Sequence, residues 1–133
     1  MRVFLDANVL FSASNPDSNV QRLVRLISKQ TTAITSDLAL EEARRNIFAK
    51  RPQWSSSFEK IVAPLQQVGS ISFPLPVPLD EKDAPLLCAA IRSRCDYFVT
   101  GDKRDFGHLF GKTVEGVKIV TLLGIAEILL DEE

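Results

Sequence analysis

Residues 96–106 read DYFVTGDKRDF: Asp96 precedes a short apolar run that leads directly into Asp102 and Asp105. The β-forming segment YFVT reads as a core strand, and the residues after it form an acidic loop at its carboxyl end. Charge at the rim of a core is costly unless a cation, a partner or a capping role compensates it. The rest of the chain has to say which of these applies.

Upstream, DAPLLCAAIRSRC (83–95) is a helix opened by Asp83 and Pro85. The proline-punctuated stretch FPLPVPLDEKD (73–83) before it reads as a rigid connector, with a polyproline ligand as the lesser alternative. Downstream, VKIV (117–120) is a last strand and LLGIAEILL (122–130) a closing apolar helix. Leu122, Ile125 and Leu129 of that helix suit core packing, and a dimer or partner surface is the competing use.

The first half alternates in the same way. RVFL (2–5) is a strand that stops at Asp6 and Asn8, and VLFSA (9–13) follows as a short helix. Ser18 caps NVQRLVRLISK (19–29), where Val20, Leu23, Val24 and Ile27 recur at helical spacing. TAIT (32–35) is a strand, and Ser36 caps the helix DLALEEARRNIFAK (37–50), which Pro52 stops. A further helix is expected over SSFEKIVAPLQQV (56–68), kinked or divided at Pro64, with a third strand over 70–73.

Strands alternating with helices throughout predict one α/β domain over residues 1–133, with a mainly parallel sheet and helices on both faces. The composition, 45% hydrophobic and 25% charged, is that of an ordinary soluble globule. Asp6 interrupts the first apolar run, and no run approaches bilayer length, so no signal peptide, membrane span or membrane partner is expected. Cys88 and Cys95, seven positions apart in one expected helix, read as buried thiols; with the other signals they suggest a cytoplasmic protein. A net charge of -1 and a pI of about 5.9 exclude a chain-wide basic field, though not a local basic rim.

Ligands of open α/β sheets bind beyond the carboxyl ends of the strands, where Asp6 and Asp102 both emerge. Asp37 also follows a strand, but helix-dipole complementarity explains it. Glu41 has Arg45 at i+4, a solvent-exposed pairing, whereas Glu42 has only Asn46 there and is the acid left available. Asp83 stands at a helix start and Asp105 beside a short turn, so capping competes with function at both. Asp80 and Glu81 are read as solvated loop residues.

Asp6, Glu42, Asp83 and Asp102 can thus meet at one mouth, where their repulsion calls for a hard cation such as Mg²⁺ or Mn²⁺. A carboxylate-held metal that keeps water in its shell suits phosphodiester hydrolysis without a protein nucleophile. The single histidine, His108, reads as a surface or packing residue, and neither a P-loop nor GxGxxG is present, so no cofactor-binding motif is assigned. Asn8 and Thr100 are candidate donors that orient the ligating carboxylates. Candidate phosphate contacts are Arg44, Arg45, Lys50, Arg51, Lys103 and Arg104, against the alternative of a solvated basic face.

The segments VFLDANVLFSA (3–13), EEARRN (41–46), KDAPLLCAAI (82–91) and DYFVTGDKRDF (96–106), in this order, resemble the PIN domain family, which includes VapC-type toxins of prokaryotic toxin–antitoxin pairs. The resemblance implies a three-layer α/β/α sandwich, Mg²⁺- or Mn²⁺-dependent ribonuclease activity on RNA, an antitoxin partner and a homodimer. It makes Asp6, Glu42, Asp83 and Asp102 the catalytic metal ligands, with Asp105 as an additional acid. For Asp83 it moves the balance from capping to metal binding. Two readings stand beside it: an aspartyl-phosphate enzyme using Asp6, and a catalytically silent module that keeps the fold for a partner.

Overall fold

Val3, Phe4 and Leu5 are consecutive residues of strand β1 (Arg2–Leu5), and all three are completely buried. Successive strand side chains point to opposite faces, so full burial of neighbours means that both faces of the sheet are covered. The computed structural model, which describes residues 1–131, shows how. The other strands are β2 (Thr32–Ser36), β3 (Gln66–Val68), β4 (Tyr97–Val99), β5 (Thr113–Val114) and β6 (Val117–Val120), in the order β3-β2-β1-β4-β6-β5. Every neighbouring pair is parallel except β5 with β6.

The helices are α1 (Ala7–Ala13), α2 (Asn19–Gln30), α3 (Asp37–Lys50), α4 (Ser55–Val62), α5 (Ala84–Arg92), α6 (Lys103–Phe106) and α7 (Leu122–Asp131). From β1 the chain moves outward to β2 and β3, then returns across β1 to β4 and β6. Right-handed crossovers place connections running in opposite directions on opposite faces. Accordingly α1 packs on α2, α3 and α4, with α7 against α2, while α5 packs across β2 and β4. The expected mainly parallel α/β architecture is the one observed.

Local signals account for most element boundaries. Ser18 accepts from the Gln21 amide and Ser36 from the Ala39 amide, capping α2 and α3 as the sequence predicts. Phe4 stacks on Phe98 with ring centroids 5.2 Å apart, and Phe98 meets Phe106 at 5.0 Å, so the core ties β1, β4 and α6 together. Ile125 and Leu129 of α7 are buried in the core, as expected, whereas Leu123 and Leu130 are exposed.

Three expectations are corrected. Helix α4 ends at Val62, and the third strand is Gln66–Val68 rather than 70–73. Pro64 has no N–H to continue the helix, and the chain it releases pairs with β2 as a polar edge strand that lacks an alternating apolar signature. The hairpin partner β5 was not foreseen; its two-residue turn, Glu115-Gly116, has both residues at positive φ, 49° and 88°. Cys95 lies beyond α5 rather than within it, although both cysteines are free and buried. Burial pushes the Cys95 thiol up to about 12. No helix among the described residues is long and apolar enough to cross a membrane.

Candidate metal centre

The sheet order reverses between β1 and β4, so the loops leaving their carboxyl ends diverge and open a crevice. Asp6 and Asp102 follow these strands. Asp6 is anchored first through its backbone, whose N–H donates to the Val99 carbonyl at 3.0 Å. Its Oδ1 accepts from the Ala7 N–H at 2.7 Å, and its Oδ2 accepts from Thr100 Oγ1 at 2.8 Å and Asn8 Nδ2 at 3.2 Å. Burial, opposed by those hydrogen bonds and reinforced by the charges of Glu42 and Asp102, raises its pKa to about 6.

Asn8 and Thr100 join the two loops. Asn8 Oδ1 accepts from the Gly101 N–H at 2.8 Å, while Thr100 Oγ1 accepts from Asn8 Nδ2 at 3.2 Å and the Asp102 N–H at 3.1 Å. Thr100→Val keeps the shape but removes every bond made by the hydroxyl. It is expected to cost about 2 kcal/mol in a urea titration and to weaken Mn²⁺ binding about tenfold.

Asp102 Oδ1 accepts from the Asp105 N–H at 3.0 Å, so Asp102 caps α6 and Asp105 sits in its first turn. The expected capping role of Asp105 therefore belongs to Asp102. On α3, Glu41 is exposed and reaches Arg45 at 3.7 Å, whereas Glu42 is half-buried and its charge acts on Asp6.

Asp83 occupies the N-cap position of α5 but makes no side-chain cap bond, which removes the simple structural explanation for it. It is 6% exposed, and its Oδ2 is buried without a hydrogen-bond partner. Burial, partly offset by Lys82 and added to by the charges of Asp105 and Asp6, raises its pKa to about 7. Asp105 is shifted the other way, chiefly by its 2.9 Å hydrogen bond from Lys82 Nζ.

Asp80, Asp83 and Asp105 each offer a carboxylate oxygen within 4.8 Å of the others. Asp80 is exposed in the loop, as expected, and the turn in which its carbonyl accepts from the N–H groups of Asp83 and Ala84, both at 3.0 Å, also brings it beside Asp83. Composition gave no sign of this, because it depends on the path of the loop. Asp6, Glu42 and Asp102 lie outside that tight group and are linked to it through the Asp6–Asp83 interaction.

The remaining candidates divide. Arg44 pairs with Glu59 at 3.2 Å and lies over the Phe58 ring, and Arg45 holds Glu41, so both already have partners. Arg51 lies over the Trp54 ring. Lys103 and Arg104 are exposed on α6, next to Asp102. His108 is a surface residue whose Nε2 donates to the Pro78 carbonyl at 2.8 Å. Asp96 accepts from the Arg2 N–H at the opposite edge of the sheet, far from the crevice in topology, and is structural.

An all-oxygen donor set with one buried carboxylate oxygen that has no hydrogen-bond partner fits a hard divalent cation. Comparison with known proteins agrees with the fold. VapBC2 from Rickettsia felis, solved bound to a DNA fragment from its promoter, superposes with a TM-score of 0.65 at 16% identity, covering 91% of this chain and 98% of the other. VapBC-1 from nontypeable Haemophilus influenzae gives a TM-score of 0.58 at 12% identity, covering 92% and 99%. Among curated proteins no sequence matches. The family model described as PIN domain matches residues 2–104, a span that runs from β1 through Asp6, Glu42, Asp83 and Asp102. The chain belongs to the PIN domain family.

Proposed function

We propose that this chain is a metal-dependent endoribonuclease that cleaves RNA phosphodiester bonds, and that it is the toxin of a toxin–antitoxin pair. The observation that carries the reading is Asp83: a carboxylate 6% exposed, with an oxygen that has no hydrogen-bond partner, whose pKa is raised by burial and by the charges of Asp105 and Asp6. Such an arrangement is unfavourable in the bare protein and favourable around a cation. PIN family membership and the structural likeness to two VapBC proteins support the nuclease and antitoxin parts. Exposed Leu123 and Leu130 on α7 and Phe48 on α3 are apolar side chains available to an antitoxin or to a second copy in a homodimer.

In this reading Asp6, Glu42, Asp83 and Asp102 hold Mg²⁺ or Mn²⁺, with Asp105 at the rim. When bound, the ion supplies positive charge to the phosphodiester oxygens and acidifies water. Thr100 and Asn8 keep the Asp6 carboxylate fixed, which preserves the donor geometry without rearrangement during the reaction. Lys103 and Arg104 are free to meet the phosphates of the strand. An aspartyl-phosphate route through Asp6 is opposed by its burial and by the three donors already on its oxygens.

Purified protein with single-stranded RNA should cleave it with Mn²⁺ and not with a chelator. Cleavage should disappear in Asp6→Asn and in Asp102→Asn. Activity that persists in both variants would overturn the assignment.

A further inference from the structure

Lys82 lies among the acids rather than beside them. Its ammonium stands 2.9 Å from Asp105 Oδ2 and 3.9 Å from Asp83 Oδ2. The turn that begins at Asp80 brings Asp80, Lys82 and Asp83 together, and α6 presents Asp105 to them. Three carboxylates within 4.8 Å of one another form a donor set suited to a divalent ion, and the buried Asp83 Oδ2 lacks a hydrogen-bond partner. The charge placed there by the chain itself is the ammonium.

We propose that Lys82 is a resident counter-cation paired with Asp105 and Asp83 Oδ2, so that the chain takes up a single divalent ion, at Asp6, Glu42, Asp83 and Asp102, and excludes a second from the Asp80–Asp83–Asp105 cluster. The proposal rests on the metal-dependent reading above and deepens it. A tethered ammonium is present at high effective concentration and gives up no translational freedom on binding. A second divalent ion would have to displace a charge-assisted hydrogen bond and would meet the repulsion of a neighbouring cation. Lysine suits this role as a compact point charge on a flexible stem, and its side chain, 61% exposed, can swing away without disturbing the core.

The test counts ions. Metal-free protein is titrated with Mn²⁺ near neutral pH, and free Mn²⁺ is followed by electron paramagnetic resonance. The natural chain and Lys82→Arg should each bind one ion, and Lys82→Met and Lys82→Gln should each bind two. The paired neutral variants guard against one of them failing to fold. Equal stoichiometry in the natural chain and the neutral variants, at one ion or at two, overturns the role of Lys82. No bound Mn²⁺ in any of them overturns the metal-centre reading on which it rests.

Discussion

Asp83→Asn is expected to reduce Mn²⁺-dependent RNA cleavage by about a hundredfold or more and, in the same molecule, to stabilise the metal-free fold. The two effects have one cause. Asp83 Oδ2 is buried with no hydrogen-bond partner, next to Asp105 and within the field of Asp6. A buried charged group without a hydrogen-bond partner costs about 1–3 kcal/mol or more, only partly offset here by Lys82 at 3.9 Å, and an amide of the same shape both removes the charge and offers a donor to Asp105. Because Asp83 makes no cap bond to α5, the substitution gives up no helix cap in return. Removing a metal ligand should affect activity at least as strongly as removing a group that orients one. Urea denaturation of both chains with chelator should give a gain of about 1–2 kcal/mol for the variant near pH 7. A loss of stability would mean that Asp83 serves the fold rather than a ligand.

The second large effect is the pH dependence of the metal-free protein, which should run opposite to ordinary acid denaturation over part of its range. Asp6 has its folded pKa raised from 3.8 to about 6, and Asp83 to about 7. Between the unfolded and folded values the native state binds more protons, so stability falls as pH rises through about 4 to 7. For Asp6 alone the shift corresponds to about 3 kcal/mol, fully present below pH 3.8 and lost above 6. Asp105 and Asp37 act in the other direction. Their pKa values are lowered, chiefly by Lys82 and by Ser70, so their contribution is present above the unfolded value and lost in stronger acid. The metal-free chain should therefore be more stable at pH 5 than at pH 8. Saturating Mn²⁺ binds only the ionised carboxylates and should reverse that order, a result readable from paired thermal melts. Melts with the same pH order with and without Mn²⁺ would contradict a carboxylate-held ion.

The strand–acid junctions at Asp6 and Asp102 were readable because β-forming runs, helix caps and glycine turns are local, and their order placed both acids at the same sheet edge. The pairing of Glu41 with Arg45 was readable from their i,i+4 spacing. The position of β3 was not, because Gln66 and Gln67 are polar and become a strand only by pairing with β2 after Pro64 ends the helix.

Local sequence dictated the alternation of strands and helices, the caps that start α2 and α3, and the delivery of carboxylates to the ends of β1 and β4. Each depends on residues within one or two turns of chain. Long-range packing settled which charges meet: Asp83 without a cap bond, Asp80 folded back beside it, and Lys82 between Asp83 and Asp105. Those contacts join a loop to a helix more than twenty residues further along the chain, and their strength depends on burial, which a residue acquires only when the core closes around it.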